Sequence, residues 1–316
     1  MRGSPYTNLN RPPLREAALR RSLTGPGQYF TDIQVVAETA STNEDVAQAV
    51  RDGAADGYVL VAELQTAGRG RLGRTWTSPA RAGLTLSVLL RPRVPVARLS
   101  WLPLLAGVAL AESVGRVAVV DAALKWPNDL LVRSAAAPAL DAVRALGGFG
   151  KCAGVLAEVI GDGRDQRAAV VLGIGLNVSQ RADELPAPPE PVVAVQDEVR
   201  ATLTGQPDLI AYPATSLSLV GALCADRDPL LRAILRTLGD WYLRWRAVDG
   251  DPESSGLREA YRRSCATLGQ RIRVNLPDGE IIVGKASDVD IDGRLVIDLG
   301  RGVSHRVAAG DVLHVR

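Results

Sequence analysis

From Gln270 to the C-terminal end the chain reads as a succession of short strands. The runs are Arg271–Leu276, Glu280–Val289, Arg294–Leu299, Ser304–Ala308 and Val312–Val315, with Pro277-Asp278-Gly279 and Asp292-Gly293 as turn signals. Five short strands in about 45 residues predict a small SH3-like barrel. This reading puts a domain boundary near Thr267 and assigns 268–316 to the barrel.

Upstream, helical and strand patterns alternate. A strand is expected at Ile33–Ala37. Ser41-Thr42-Asn43-Glu44 then reads as a capping box that opens a helix running to Gly53. The β-rich runs Tyr58–Glu63 and Leu84–Leu90 flank a Gly- and Arg-rich loop, Gln65–Arg81. Ser100–Val120 is apolar enough for a buried helix. Leu124–Val132 is broken by Trp-Pro-Asn-Asp and predicts strand, tight turn, strand. Ala153–Ile160 and Ala168–Val178 flank Gly161-Asp162-Gly163 as a hairpin. Two insertions, Arg133–Gly150 and Arg181–Val193, read as surface loops, and helices follow at Leu230–Ala247 and Glu253–Cys265. Residues 1–26 lack sustained periodicity and end at Gly25-Pro26-Gly27, so they are expected to form a mobile N-terminal arm, whose amphipathic start could alternatively dock on the main body.

Composition removes several function classes. A net charge of +2 is too balanced for bulk DNA binding. No run of about 18 apolar residues suggests a membrane span, and the N-terminus lacks a signal-peptide core. With three widely spaced cysteines, Cys152, Cys224 and Cys265, a cytoplasmic setting without disulfides is expected. The only histidines are His305 and His314, so the main body holds no Ser-His-Asp triad and no His-ligated metal. Among 37 basic residues only Lys125, Lys151 and Lys285 are lysine. A lysine kept in so Arg-biased a chain suggests a site that needs a compact ammonium rather than a planar fork.

Four stretches carry chemistry. In Gly68-Arg69-Gly70-Arg71-Leu72-Gly73-Arg74-Thr75-Trp76, glycines let backbone N–H groups approach a ligand and arginines supply forked donors for phosphate or carboxylate. It is neither a Walker A loop nor a dinucleotide fingerprint; the alternative is a solvated loop that binds nucleic acid nonspecifically. Lys125-Trp126-Pro127-Asn128-Asp129 brings an ammonium, an amide and a carboxylate to one turn, where an Asx turn with a satisfied lysine is the plainer alternative. In Lys151-Cys152-Ala153-Gly154-Val155-Leu156-Ala157-Glu158, Lys151 opens a strand on which Gly154 leaves room for something flat. Gly173-Ile174-Gly175-Leu176-Asn177-Val178 repeats that pattern, and core packing explains such glycines about as well.

Taken together with Ser41-Thr42-Asn43, these stretches closely resemble the catalytic domain of biotin–protein ligases in order and approximate spacing. The ending Ala309-Gly310-Asp311-Val312 is similar to that family's small barrel, and the resemblance covers roughly 27–316. The arginine-pair, glycine-run and His-Asp motif of lipoate and octanoyl ligases is absent. The resemblance implies an α+β fold with a mixed, largely antiparallel sheet and helices, class II synthetase-like, over 27–267. It implies formation of biotinyl-5′-AMP and pyrophosphate from biotin and ATP with Mg²⁺. Biotinyl transfer then goes to one lysine of a biotin carboxyl carrier domain of an acetyl-CoA or acyl-CoA carboxylase.

Carried onto this sequence, the resemblance implies that Ser41, Thr42 and Gln65 bond the ureido head of biotin while Asn43 shapes that pocket. Gly68, Arg69, Gly70 and Arg71 line the ligand; Arg69, Arg71 and Arg74 grip carboxylate and phosphates; Trp76 closes the loop. Lys151 bridges the biotin carboxylate and the α-phosphate beside Gly154, with Lys125 as a second point charge. Asn128 and Asn177 face the nucleotide. Asp129 is a candidate to orient or deprotonate the incoming lysine, or to help place Mg²⁺; no metal ligands are assigned. The short N-terminal segment leads to an expectation of no repressor role and no DNA partner, and the insertion before Lys151 is longer than the family pattern. The rivals are a nucleic-acid-binding module using the Arg loop and barrel, and an inactive biotin-binding relative; the charge balance disfavours the first, and intact Lys125, Asp129 and Lys151 the second.

Overall fold

The computed structural model describes residues 11–133, 148–161, 168–187, 209–210 and 212–315. The hairpin tip after Gly161, most of the first predicted insertion (134–147) and the end of the second (188–193) lie outside the described residues.

The larger unit is a seven-stranded sheet. In chain order its strands are β1 (Asp32–Val36), β2 (Tyr58–Ala62), β3 (Gly83–Leu90), β4 (Ala122–Lys125), β5 (Asp129–Arg133), β6 (Phe149–Ile160) and β7 (Ala169–Asn177). They lie in the spatial order β1-β2-β3-β7-β6-β5-β4. Only β1 and β2 run parallel; the other neighbours are antiparallel, as the mixed, largely antiparallel reading requires.

Every residue of β3 and β7 is buried, because both faces of the sheet are covered. On one face Leu84, Leu86, Val88, Leu172 and Ile174 pack in the main core with α3 (Trp101–Ala118), α4 (Arg227–Arg246) and α5 (Leu257–Ser264). On the other, Leu60, Leu89 and Val171 meet Val46 and Val50 of α2 (Thr42–Arg51). By length and apolarity α3 and the turn before it pass for a membrane span, yet most of that stretch is buried in the protein. It is the core helix of the domain.

The N-terminal arm docks on the main body. Residues 16–23 form helix α1 (Glu16–Leu23), with Leu19 and Leu23 completely buried. The apolar pair lies four residues apart, on one face, which is too short a pattern to stand out in a sequence window. The backbone leading into α1 is pinned as well. Glu63 Oε1 accepts from Leu14 N at 2.6 Å, its Oε2 lies 2.6 Å from Arg227 Nη1, and Arg227 Nη2 donates to the Pro12 carbonyl at 2.6 Å. Both charged side chains are buried. Removing one partner of a buried pair strands the other charge, so Arg227→Ala should lower unfolding free energy by about 3–5 kcal/mol. Urea denaturation measures this; a loss under about 1 kcal/mol would show that water reaches Glu63 and that the strap is not held this way.

The tail forms an antiparallel sheet of β9 (Arg271–Asn275), β10 (Ile281–Val289), β11 (Leu295–Gly300), β12 (Val303–Val307) and β13 (Asp311–Val315). One strand was not foreseen: β8 (Leu209–Ile210), from outside the tail, pairs with β13. The two units share one hydrophobic core. The Trp101 and Trp126 indoles donate to the carbonyls of Ile291 and Gly293 at 2.8 and 3.1 Å, clamping the β10–β11 turn. This clamp brings the N-terminal end of β13 to the face of the large sheet that carries α2.

Candidate active site

Strand register builds the floor of the pocket. Thr85 and Ser87 of β3 stand opposite Gly175 and Gly173 of β7, which in turn stand opposite Gly154 and Leu156 of β6. Alternate strand residues share a face, so these side chains and bare glycines make one patch. Asp129 of β5, opposite Gly154, extends it.

The start of α2 closes one end. A Cβ on Gly173 would fall 2.2 Å from Asn43 Oδ1, so only glycine there admits Asn43. Ser87 Oγ donates to Asn43 Oδ1 at 2.6 Å and lies 2.8 Å from Thr42 Oγ1. The Thr42 N–H and hydroxyl both reach Gln65 Oε1, at 2.9 and 3.0 Å. Asn43 Nδ2 donates to Glu158 Oε2 at 2.6 Å. Ser41 caps α2 through its Oγ, but Glu44 does not complete the predicted capping box. Its carboxylate faces Arg69 instead, at 3.4 Å. The result is a largely buried cluster of hydroxyls and amides with the Glu158 carboxylate at its edge.

The Gly/Arg loop folds over the pocket as a tight hairpin. Gly70 N–H donates to Arg74 O at 2.6 Å, and Trp76 N–H to Gly68 O at 2.9 Å. Gly68 is confined by that closure, since a Cβ would sit 2.3 Å from the Trp76 carbonyl oxygen. Leu72 takes a left-handed backbone at φ 55°, a conformation costly for a branched residue. The Trp76 indole lies on the cross-strand pair Gly154 and Gly175. The flat group for which those glycines leave room is therefore a side chain of the protein itself.

Cations gather at the opposite end. Lys151 Nζ lies 2.8 Å from Asp129 Oδ1. Arg71 Nη1 donates to Asn128 Oδ1 at 3.3 Å, and Asn128 Nδ2 to the Val155 carbonyl at 3.0 Å. Arg74 donates to Asp311 Oδ2 of β13 at 2.5 Å. Lys125 makes no hydrogen bond or ion pair among the described residues. Burial lowers the affinity of both Lys125 and Arg71 for their protons, while the Asp129 and Asp311 carboxylates oppose that effect. The site is thus cation-rich and underneutralised, fitted to take anions.

Of the residues singled out in the sequence, Ser41, Thr42, Asn43, Gln65, Arg69, Gly70, Arg71, Arg74, Trp76, Lys125, Asn128, Asp129, Lys151 and Gly154 all line this one pocket. Two do not. Gly68 lies in the neck of the hairpin, outside the lining. Asn177 was expected to face the nucleotide, but its amide is committed elsewhere. Nδ2 donates to Thr215 O at 2.9 Å and Oδ1 accepts from Gln180 at 3.1 Å, so it holds the 212–217 segment against the end of β7. The three loop arginines, expected to grip carboxylate and phosphates, each face a protein acceptor here.

Sequence reasoning passed over Ser87, whose signal was a lone hydroxyl inside the apolar run Leu84–Leu90. It also gave no role to Asp311, which no local pattern links to a loop more than two hundred residues earlier. His314 is buried, with Nδ1 2.8 Å from the Tyr212 hydroxyl, and does not line the pocket. Burial, with some help from the Lys125 charge, pushes its pKa down to about 4, so it is neutral near pH 7. Among the described residues no three of His, Cys, Asp and Glu gather as a metal cage. The nearest carboxylates, Asp129 and Asp311, each face a cation.

Residues 36–177 match the model of the Biotin/lipoate A/B protein ligase family, and 267–315 match that of the Biotin protein ligase C terminal domain. Over 311 residues the chain is 40% identical to the biotin–[acetyl-CoA-carboxylase] ligase of Mycobacterium tuberculosis, covering 97% of each chain. The chain belongs to the biotin protein ligase family. Solved biotin protein ligases share its fold. That of Aquifex aeolicus in complex with biotin and ATP superposes with a TM-score of 0.63 at 24% identity, covering 91% of this chain and 100% of the other. That of Leishmania major in complex with biotinyl-5-AMP gives 0.51 at 21%, covering 88% and 99%. For a biotin protein ligase, one pocket with a neutral polar end and a cationic end is an intelligible design.

Proposed function

We propose that the chain is an ATP-dependent biotin–protein ligase acting on a biotin carboxyl carrier domain of an acetyl-CoA or acyl-CoA carboxylase in the cytoplasm. The observation that carries this reading is the two-ended pocket. The hydroxyl and amide cluster of Ser41, Thr42, Asn43 and Gln65 suits the ureido head of biotin, which both donates and accepts hydrogen bonds. Lys151, Lys125, Arg71 and Arg74 suit a carboxylate and a phosphate chain brought together.

In the first step the biotin carboxylate oxygen attacks the α-phosphorus and pyrophosphate leaves. No protein nucleophile is needed. The protein's work is to bring two anions into line and to offset their repulsion. Lys151 would bridge both anions, a reading supported by its place in the pocket lining and by Asp129, 2.8 Å away, which holds its ammonium. In the second step the carrier lysine attacks the carbonyl of the mixed anhydride and AMP leaves. Asp129, on the pocket wall, would orient that amine, take its proton or help to place Mg²⁺. Mg²⁺ would enter with ATP, held chiefly by phosphate oxygens, as is usual for this ion. Closure of the Gly68–Trp76 hairpin would keep water from the anhydride.

The test is direct. The protein is mixed with biotin, MgATP and a biotin carboxyl carrier domain, and the carrier is weighed by mass spectrometry. The expected result is a gain of one biotinyl group, lost when the carrier lysine is changed to arginine. No mass change, with no pyrophosphate released, would overturn the reading.

A further inference from the structure

Glu158 lies outside the pocket lining, yet its carboxylate reaches two of the lining residues, Asn43 and Arg69. Its Oε2 accepts from Asn43 Nδ2 at 2.6 Å, and its Oε1 lies 3.6 Å from Arg69 Nη2. The same Arg69 nitrogen lies 3.4 Å from Glu44 Oε1. Asn43 is held in turn by Ser87 and seated in the gap left by Gly173. Arg69 opens the hairpin, paired across it with Thr75. One carboxylate on β6 therefore has one oxygen on Asn43 at the polar end of the pocket and one facing Arg69 at the base of the Gly68–Trp76 lid.

We propose that Glu158 is a positioning residue that couples the head-group end of the pocket to the lid, and that Arg69 anchors the loop instead of gripping phosphate. This rests on the reading of the pocket given above, in which Asn43 shapes the biotin site. Arg69 turns its guanidinium toward two carboxylates, while Arg71 and Arg74 face the opposite, cation-rich end beside Asn128 and Asp311. A ligand that settles against Asn43 fixes the Glu158 carboxylate. A fixed carboxylate presents Oε1 to Arg69 with less loss of side-chain freedom. Head-group binding thus favours lid closure through a single side chain, and a closed lid favours head-group binding by the same factor.

The two oxygens can be tested separately. Glu158→Gln keeps an amide oxygen for Asn43 and puts an uncharged donor toward Arg69. Glu158→Ala removes both contacts. The full chain is digested with trypsin, following cleavage after Arg69, Arg71 and Arg74 without ligand and with biotin alone. Biotin affinity is measured by calorimetry, and KM is measured for biotin and for ATP. Glu158→Gln should speed ligand-free cleavage by about three- to fivefold, the scale of a half-exposed ion pair. It should leave biotin affinity within about threefold, because Asn43 keeps its acceptor. Glu158→Ala should show the same loop release and also bind biotin about tenfold more weakly, raising KM for biotin more than KM for ATP. In an Arg69→Gln background, Glu158→Gln should add nothing to the cleavage rate.

Parental cleavage of Glu158→Gln would overturn the lid anchor. Parental biotin affinity of Glu158→Ala, or equal rises in the two KM values, would overturn the head-group link. If the parent protein bound no biotin, the reading of the pocket would fail and the head-group link with it, while ligand-free cleavage would still decide the anchor.

Discussion

Lys151→Arg should cut the rate of biotinyl-AMP formation by on the order of 100-fold, and Lys151→Ala by at least as much. Lys151 sits where β6 is bulged against β5, and its backbone is gripped from the other side: its N–H donates to Pro213 O at 2.8 Å and its carbonyl accepts from Thr215 at 2.9 Å. The side chain therefore leaves a fixed root. Its ammonium ends 2.8 Å from Asp129 and 3.8 Å from where a Cβ on Gly154 would stand. A guanidinium is longer and planar and would have to pass that point or push Asp129 aside. Either movement shifts the cation by about 1 Å or more, enough to spoil an in-line attack. Pyrophosphate release under saturating biotin and ATP measures the effect, and a parental circular dichroism spectrum and melting temperature confirm the fold. Near-parental adenylate formation by Lys151→Arg would remove Lys151 from the chemistry.

Lys151 is one of only three lysines among 37 basic residues. The strands and helices of the main unit were readable because their apolar periodicity is long and their punctuation strong. The turn of Trp126-Pro127-Asn128-Asp129 is an example, and in the tail the barrel strands are marked by their own turn signals. What stayed hidden depends on contacts between distant segments. The docking of α1 rests on two leucines, and β8 on two residues that pair only because β13 is there. Within the site, residue types showed that cations and amides were gathered, but not their partners. Nothing local in Gly68–Trp76 indicates that Arg74 meets Asp311 or that Arg69 turns to Glu44 and Glu158. Asn177 misled for the same reason. An amide at a strand end looks like a ligand contact until the strand's neighbour, the 212–217 segment, is in view.

The glycines of β6 and β7 were the weakest signal in the sequence and become the sharpest in the structure. A methyl group on Gly175 would stand 2.4 Å from Trp76 Cε2 and 2.7 Å from its Nε1, whereas one on Gly154 meets the same ring at 3.5 Å. The first distance is impossible and the second is ordinary contact. Gly175→Ala must therefore move the indole, and Gly154→Ala need not. Trp76 is half-buried on a surface hairpin, while β7 is buried along its whole length. The indole is thus the part that yields. Expulsion of a surface ring spares the core, so Gly175→Ala should lose less than about 1.5 kcal/mol of stability, below the usual range for overpacking a closed interior. Its cost should appear in catalysis instead, as a fall of about 10- to 100-fold in kcat/KM for biotin, since the lid loses its seat on the sheet. Gly154→Ala should stay within about threefold, and Trp76→Ala should make Gly175→Ala silent because the clash has gone. Adenylate kinetics on the four variants, with urea melts alongside, decide the matter. Equal damage from Gly154→Ala and Gly175→Ala would mean that the strand surface itself, and not the ring lying on it, is what the reaction needs.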